Sequence, residues 1–185
     1  MGYIQSAMKQ ILTTEQVQQA LDDLYQKILA DLPDNADLAI VGIRSRGETL
    51  AQRIIAMLSR RKPARQIDFG VLDITFYRDD LSRRRGAPMV RATEIDFDLD
   101  DKWVLLVDDV LQTGRSIRAA LDALHDFGRP KVIRLAVLID RGGRELPIAA
   151  DYVGKSIHAP ANQRVQLKLK EKDGEEGVFI IKSKS

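Results

Sequence analysis

Apolar residues fall into two kinds of run along this chain. One kind recurs every three or four positions. Val17, Leu21, Leu24 and Ile28 do so across residues 14–31, with Thr13 or Thr14 placed to cap the start, which predicts an amphipathic helix. Leu50, Ile54, Ile55 and Leu58 mark a second helix, and Ile117, Leu121 and Leu124 a third. The other kind is short and continuous: "LAIVGI" (38–43), "FGVLDITFY" (69–77), "WVLLV" (103–107) and "VIRLAVLI" (132–139). Strands apolar on both faces, alternating with helices, predict an α/β fold with a mostly parallel central sheet flanked by helices. After Asp151 the texture changes. "VQLKLKEKDGEEGVFII" alternates apolar with polar, turns at Asp173-Gly174 and returns, which predicts a C-terminal antiparallel hairpin. Neither a repeat nor a linker interrupts the chain, so residues 1–185 read as a single domain.

Composition narrows this picture in three ways. Of 185 residues, 44% are hydrophobic and 30% charged, a profile that favours a folded domain over a disordered chain. A net charge of +2 does not by itself announce a nucleic-acid binder. The absence of cysteine excludes disulfides and thiolate metal sites, and makes a reducing, cytoplasmic compartment the expected home. No apolar run approaches the roughly 18 residues that a spanning helix needs, so no membrane partner is expected.

The candidate chemistry gathers in "WVLLVDDVLQTGRSIRAAL" (103–121), where two acidic residues end an apolar strand. In an open parallel sheet, ligands sit beyond the carboxyl ends of the strands. Asp108 and Asp109 stand at that end. Successive side chains on a strand point opposite ways, so a twist is needed for both to reach one ligand. Thr113-Gly114-Arg115-Ser116 then opens a helix, where backbone N–H groups and the Thr and Ser hydroxyls attract phosphate and Gly114 lets the backbone come close. Carboxylates beside a phosphate cup fit a ribose 5-phosphate. A metal site and a helix cap are the competing uses; capping accounts for one aspartate, not for two plus the small-residue turn.

Three further segments belong to the same picture. "GIRSRG" follows the first strand, so Arg44, Ser45, Arg46 and Gly47 share its sheet edge and suit an oxyanion. "YRDDLSRRRGAPM" (77–89) sets Arg78, Arg83, Arg84 and Arg85 against Asp79 and Asp80, and reads either as a mobile basic hairpin or as a lid. "IDRGGRELP" (139–147) carries Asp140 and Arg141 to the same edge, with a structural salt bridge as the rival use of Arg141. The alternating acids Glu94, Asp96, Asp98, Asp100 and Asp101 read as a solvated face rather than a metal site. His125 and His158 read as structural or surface residues.

The run of two acids, spacers and Thr-Gly-Arg-Ser resembles the ribose-phosphate motif of type I phosphoribosyltransferases. "VGIRSRG" (41–47), "DITFYRDDL" (73–81), "VLLVDDVLQTGRSIRAALDAL" (104–124) and "LAVLIDRGGRELPIAADYVGK" (135–155) are similar to one branch, the PyrR family of pyrimidine-operon regulators that double as uracil phosphoribosyltransferases. The likeness runs from about residue 10 to about residue 180. It implies a type I phosphoribosyltransferase fold with a flexible basic lid hairpin, and a reaction forming UMP and pyrophosphate from uracil and phosphoribosyl pyrophosphate. Asp108, Asp109 and Arg78 would then be catalytic. Arg44, Ser45, Arg46 and Gly47 would bind pyrophosphate, through a loop with a non-proline cis peptide. Asp108, Asp109, Val110, Leu111, Gln112, Thr113, Gly114, Arg115 and Ser116 would bind the ribose phosphate, and Arg141 the uracil end. The resemblance also implies Mg²⁺ near Asp108 and Asp109 and a homo-oligomer, dimer or higher.

Regulatory members bind an mRNA leader through basic residues, several of them on the first helix. Here the expected outward positions of that helix are Gln18, Gln19, Asp22, Asp23 and Gln26, and acids repel phosphate. Arg144 and Lys155 keep basic character later in the chain and are the RNA-contact candidates, while Ala149 stands where an arginine is frequent. Two readings follow: a transferase, or an RNA-binding attenuator whose catalytic fold serves as a nucleotide receptor.

Overall fold

Leu38–Ile43 (β2) is buried at all six positions, as a strand covered on both faces must be. In the computed structural model, which describes residues 8–77, 92–160 and 162–182, β2 lies inside a five-stranded parallel sheet. The other strands are β3 (Asp68–Leu72), β4 (Trp103–Leu111), β5 (Val132–Asp140) and β6 (Tyr152–Ser156), in spatial order β3-β2-β4-β5-β6. The chain leaves β2 toward one edge and returns on its other side as β4. The sheet therefore reverses its winding between β2 and β4, where a crevice opens beyond the carboxyl ends.

Side chains of alternate parity feed two apolar layers. Leu38, Ile40, Leu105, Val107 and Leu138 pack with helices α1 (Thr14–Asp31) and α2 (Arg46–Arg61). Ala39, Val41, Val104, Leu106 and Val137 pack with α3 (Arg115–Leu124) on the opposite face. Each fully buried Leu, Ile or Val contributes roughly 1.5–3 kcal/mol. The start of α1 is fixed by a capping box, in which Gln16 N–H donates to Thr13 Oγ1 and Thr13 N–H to Gln16 Oε1.

Two strand boundaries differ from expectation, and the C-terminal hairpin is present as part of a larger sheet. The predicted strand over 69–77 stops at Leu72, because Asp73 Oδ1 accepts both the Thr75 N–H (2.8 Å) and the Thr75 hydroxyl (2.5 Å) and folds Thr75–Tyr77 into a 3-10 turn. β4 runs on past Val107 to Leu111, so both aspartates lie within the strand. The predicted C-terminal hairpin is real but not tight: β7 (Gln163–Lys168) and β8 (Gly177–Lys182) are joined through a helical turn, α4 (Lys170–Asp173), which ends at Gly174 in left-handed backbone. It is also not alone. β1 (Met8–Leu12) pairs with β8 to make a separate antiparallel sheet ordered β1-β8-β7. The expected lid, with Arg78, Arg83, Arg84 and Arg85, lies outside the described residues.

Candidate active site

Three strand ends meet at the crevice. The first, after β2, carries Arg44-Ser45-Arg46-Gly47, and the Arg44–Ser45 peptide is cis. The loop sits hard against β4: a Cβ on Gly47 would stand 2.4 Å from the Val107 carbonyl oxygen and 3.2 Å from Asp108 Cα. Only glycine permits that approach. The second end is Asp108-Asp109 and the turn after them. Asp108 has the parity of the α3 layer and Asp109 that of the α1–α2 layer, so the two point to opposite faces at their roots. Each folds a carboxylate oxygen back onto the next amide: Asp109 N–H donates to Asp108 Oδ1 (2.9 Å) and Val110 N–H to Asp109 Oδ1 (2.8 Å). Asp108 is buried, whereas Asp109 is half-buried.

Two helices begin here without a side-chain cap, unlike α1. The N-cap of α2 is Ser45, whose side chain bonds no helix amide, and that of α3 is Gly114, which has no side chain to offer one. Their first N–H groups are the kind that hold an anion. Gly114 adopts φ 89°, a left-handed conformation that turns the chain from β4 into α3. Thr113 Oγ1 accepts the Arg115 N–H at 3.3 Å, and Arg115 is exposed with its Nε 2.7 Å from Glu145. Val110 and Leu111 complete the strand, Gln112 and Ser116 are half-buried, and Gly114 is buried.

The third end follows β5. Leu111 stands opposite Asp140 across the β4–β5 pair, so this segment lies directly beside the turn. Burial pushes the Asp140 carboxyl up, but the bond from Arg144, the Gly142 N–H and the charges of Arg144 and His158 outweigh it and hold the group below the usual carboxylate range. Among the described residues, no three His, Cys, Asp or Glu side chains converge as metal ligands. A pair of carboxylates therefore suits a divalent ion only if ligand phosphates and waters complete its shell, the mode typical of Mg²⁺.

A family model described as a phosphoribosyl transferase domain matches residues 7–171. The chain belongs to the phosphoribosyltransferase family. Within it the chain belongs with the PyrR proteins. It is 52% identical to "Bifunctional protein PyrR" of Roseiflexus sp. (strain RS-1), over 95% of this chain and 96% of that one. It is 50% identical to the protein of the same name from Chloroflexus aurantiacus, over 94% and 95%. Among solved structures, a hypoxanthine-guanine phosphoribosyltransferase from Bacillus anthracis superposes with TM-score 0.68, over 96% of this chain and 99% of that one, at 16% identity. That likeness speaks for the shared fold alone.

The arginines at these loops all have partners within the protein. Arg44 pairs with Glu94 at 2.5 Å, and the Glu94 backbone exchanges hydrogen bonds with Val71, so the read-as-solvated acidic run reaches back to the first loop. Arg46 grips Asp173 with two bonds, Nη2–Oδ1 at 2.6 Å and Nε–Oδ2 at 3.2 Å. Arg141 is buried, and among the described residues its side chain has no salt bridge. Its guanidinium donates to the carbonyls of Gln163 (2.8 Å), Ala159 (3.2 Å) and Pro160 (3.3 Å). Arg144 is likewise engaged inside the protein, while Lys155 on β6 is exposed. Glu94 and Asp173 were not legible as partners, since they lie 50 and 127 residues from the arginines they hold.

Proposed function

We propose that this protein is a uracil phosphoribosyltransferase, forming UMP and pyrophosphate from uracil and phosphoribosyl pyrophosphate. The observation that carries this reading is the continuous path from Asp108 and Asp109 to the glycine-capped start of α3, with the Gly47 loop pressed against the same strand. In the reaction, the bond from the anomeric carbon to pyrophosphate breaks, a bond to a uracil nitrogen forms, and that nitrogen loses its proton. The transition state carries oxocarbenium character, as in glycoside cleavage. Such chemistry needs alignment and neutralised charge more than proton donors.

The roles follow from position. Asp108 and Asp109 accept from the ribose hydroxyls. The amides at 113–116, with the Thr113 and Ser116 hydroxyls, hold the 5-phosphate. Arg44, Ser45, Arg46 and Gly47 face the pyrophosphate. The Arg44–Glu94 pair, whose acid is largely exposed, is worth at most about 1 kcal/mol and yields readily to a polyanion. Arg78 belongs to this reading as a lid contact. Mg²⁺, held by Asp108 or Asp109 and the ligand's own oxygens, would neutralise the leaving group's charge. The assembly is a homo-oligomer, dimer or higher, in a cytoplasmic setting; no helix among the described residues is long and apolar enough to cross a membrane.

A second activity is favoured by the word "bifunctional" in the relatives' names: UMP-responsive binding of a pyrimidine-gene mRNA leader. Lys155 is exposed and Arg144 is bonded within the protein; of the α1 positions expected outward, Gln18, Gln19, Asp23 and Gln26 are exposed and Asp22 is half-buried. The deciding experiment is turnover of uracil with phosphoribosyl pyrophosphate and Mg²⁺, on wild type and D109N. Wild type is expected to release pyrophosphate, and folded D109N to lose about 10²-fold or more in kcat. A wild type inert with every pyrimidine removes the transferase reading. A filter-binding titration with the leader RNA, with and without UMP, tests the second activity; binding that is undetectable or indifferent to salt removes it.

A further inference from the structure

We propose that Arg144 is a positioning residue that clamps the segment after β5 to the ribose-phosphate turn after β4, and so sets where the base sits relative to the sugar. This rests on the transferase reading above. The guanidinium reaches three separate places. Nη2 donates to Asp140 Oδ2 (2.5 Å) at the end of β5, Nε to the Ile148 carbonyl (2.8 Å), and Nη1 to the Gln112 carbonyl (3.0 Å) in the turn. Asp140 is itself oriented, since its other oxygen accepts the Gly142 N–H at 2.9 Å.

The surrounding backbone tightens the same joint. The Glu145 and Leu146 N–H groups both donate to the Thr113 carbonyl, at 3.0 and 3.1 Å. A Cβ on Gly114 would meet Ile148 and Leu146 side chains at 3.3 and 3.4 Å, so residues 145–148 lie directly over the phosphate turn. Arg141 does a different job, tying the root of the segment to the carbonyls at 159, 160 and 163. Between that root and Ile148 the chain passes through Gly142 and Gly143, both at positive φ, so the segment's shape depends on what holds its far end. Arg144 is the side chain that ties that end to both Asp140 and the turn.

Lysine cannot replace it. One ammonium is a compact point charge, whereas the planar guanidinium presents diverging donors that match three acceptors at once. A charge-only role, such as contact with an RNA phosphate, makes the opposite prediction.

The test compares R144K and R144M with wild type, each first shown to be folded by circular dichroism. In both variants the KM for uracil is expected to rise about tenfold or more while the KM for phosphoribosyl pyrophosphate moves less than about threefold, because misplacement falls on the base. Asp140→Asn, which weakens one of the three bonds, should lie between. A wild-type KM for uracil in R144K overturns the proposal, and so does an equal rise in both KM values. Amide hydrogen exchange of residues 112–116 gives a readout independent of turnover: it should quicken in R144K, and unchanged protection overturns the clamp. If wild type itself shows no uracil turnover, the transferase reading fails, and the exchange result still decides whether the clamp exists.

Discussion

At the scale of single residues, two glycines fix the geometry on which the site depends. Gly47 has the Val107 carbonyl where a methyl would go. G47A must therefore push the loop off β4, at a cost of about 1–3 kcal/mol in stability. Its larger effect falls on turnover, expected to drop about 10²-fold in steady-state kinetics, since loop and strand together align the reactants. Gly114 is constrained by φ 89° rather than by contact alone. G114A should destabilise by about 1–2 kcal/mol in denaturant unfolding and weaken UMP binding with it. The sequence exposed these residues because Asp108 through Ser116 are contiguous and small residues stand where a backbone must come close. It hid the arginine partners. Nothing local to Arg46 points to Asp173, and nothing local to Arg141 or Arg144 says that they bond backbone carbonyls of distant segments.

At the scale of elements, the legible ones were those whose apolar pattern lies within one stretch of chain. β2 and β5 are apolar throughout their middles, and α1 carries its cap and stripe within one stretch. β6 was not legible, because Tyr152–Ser156 is an edge strand with its later residues exposed. β1 escaped for a similar reason, with Met8, Lys9 and Gln10 outward. The C-terminal sheet is held to α2 by ionic contacts: Arg46 with Asp173, and Arg53 with Glu171 and Glu176. Burial pushes the Asp173 carboxyl up, but bonds from Arg46 and the Leu169 N–H, with the charges of Arg46 and Lys168, bring it below the ordinary 3.8. The bond from Arg53 holds Glu171 below 4.5. A carboxylate with a depressed folded pKa stabilises the fold above its unfolded value, and that contribution is lost as pH falls through the folded one. Thermal unfolding followed from pH 6 downward should therefore show Tm falling once pH drops below about 4.5, with a shallower fall in D173N. Equal slopes for the two proteins would contradict this docking.

At the scale of the whole molecule, the winding of the sheet decides where chemistry happens, and side chains decide which. The strand order β3-β2-β4-β5-β6 brings three loops to one crevice from segments far apart in the chain. The same fold serves a hypoxanthine-guanine phosphoribosyltransferase at 16% identity, so architecture does not name the base. On the proposed reading, the choice of uracil falls to the segment after β5 and its distance from the turn at 113–116. The central claim is that Asp108, Asp109 and the turn at 113–116 jointly grip one sugar phosphate. A crystal structure with UMP bound tests it most directly. The phosphate should sit on the amides of 113–116 and the ribose hydroxyls within hydrogen-bond reach of Asp108 or Asp109. UMP bound elsewhere, or a crevice that stays closed by this chain's own side chains at saturating UMP, would contradict the account.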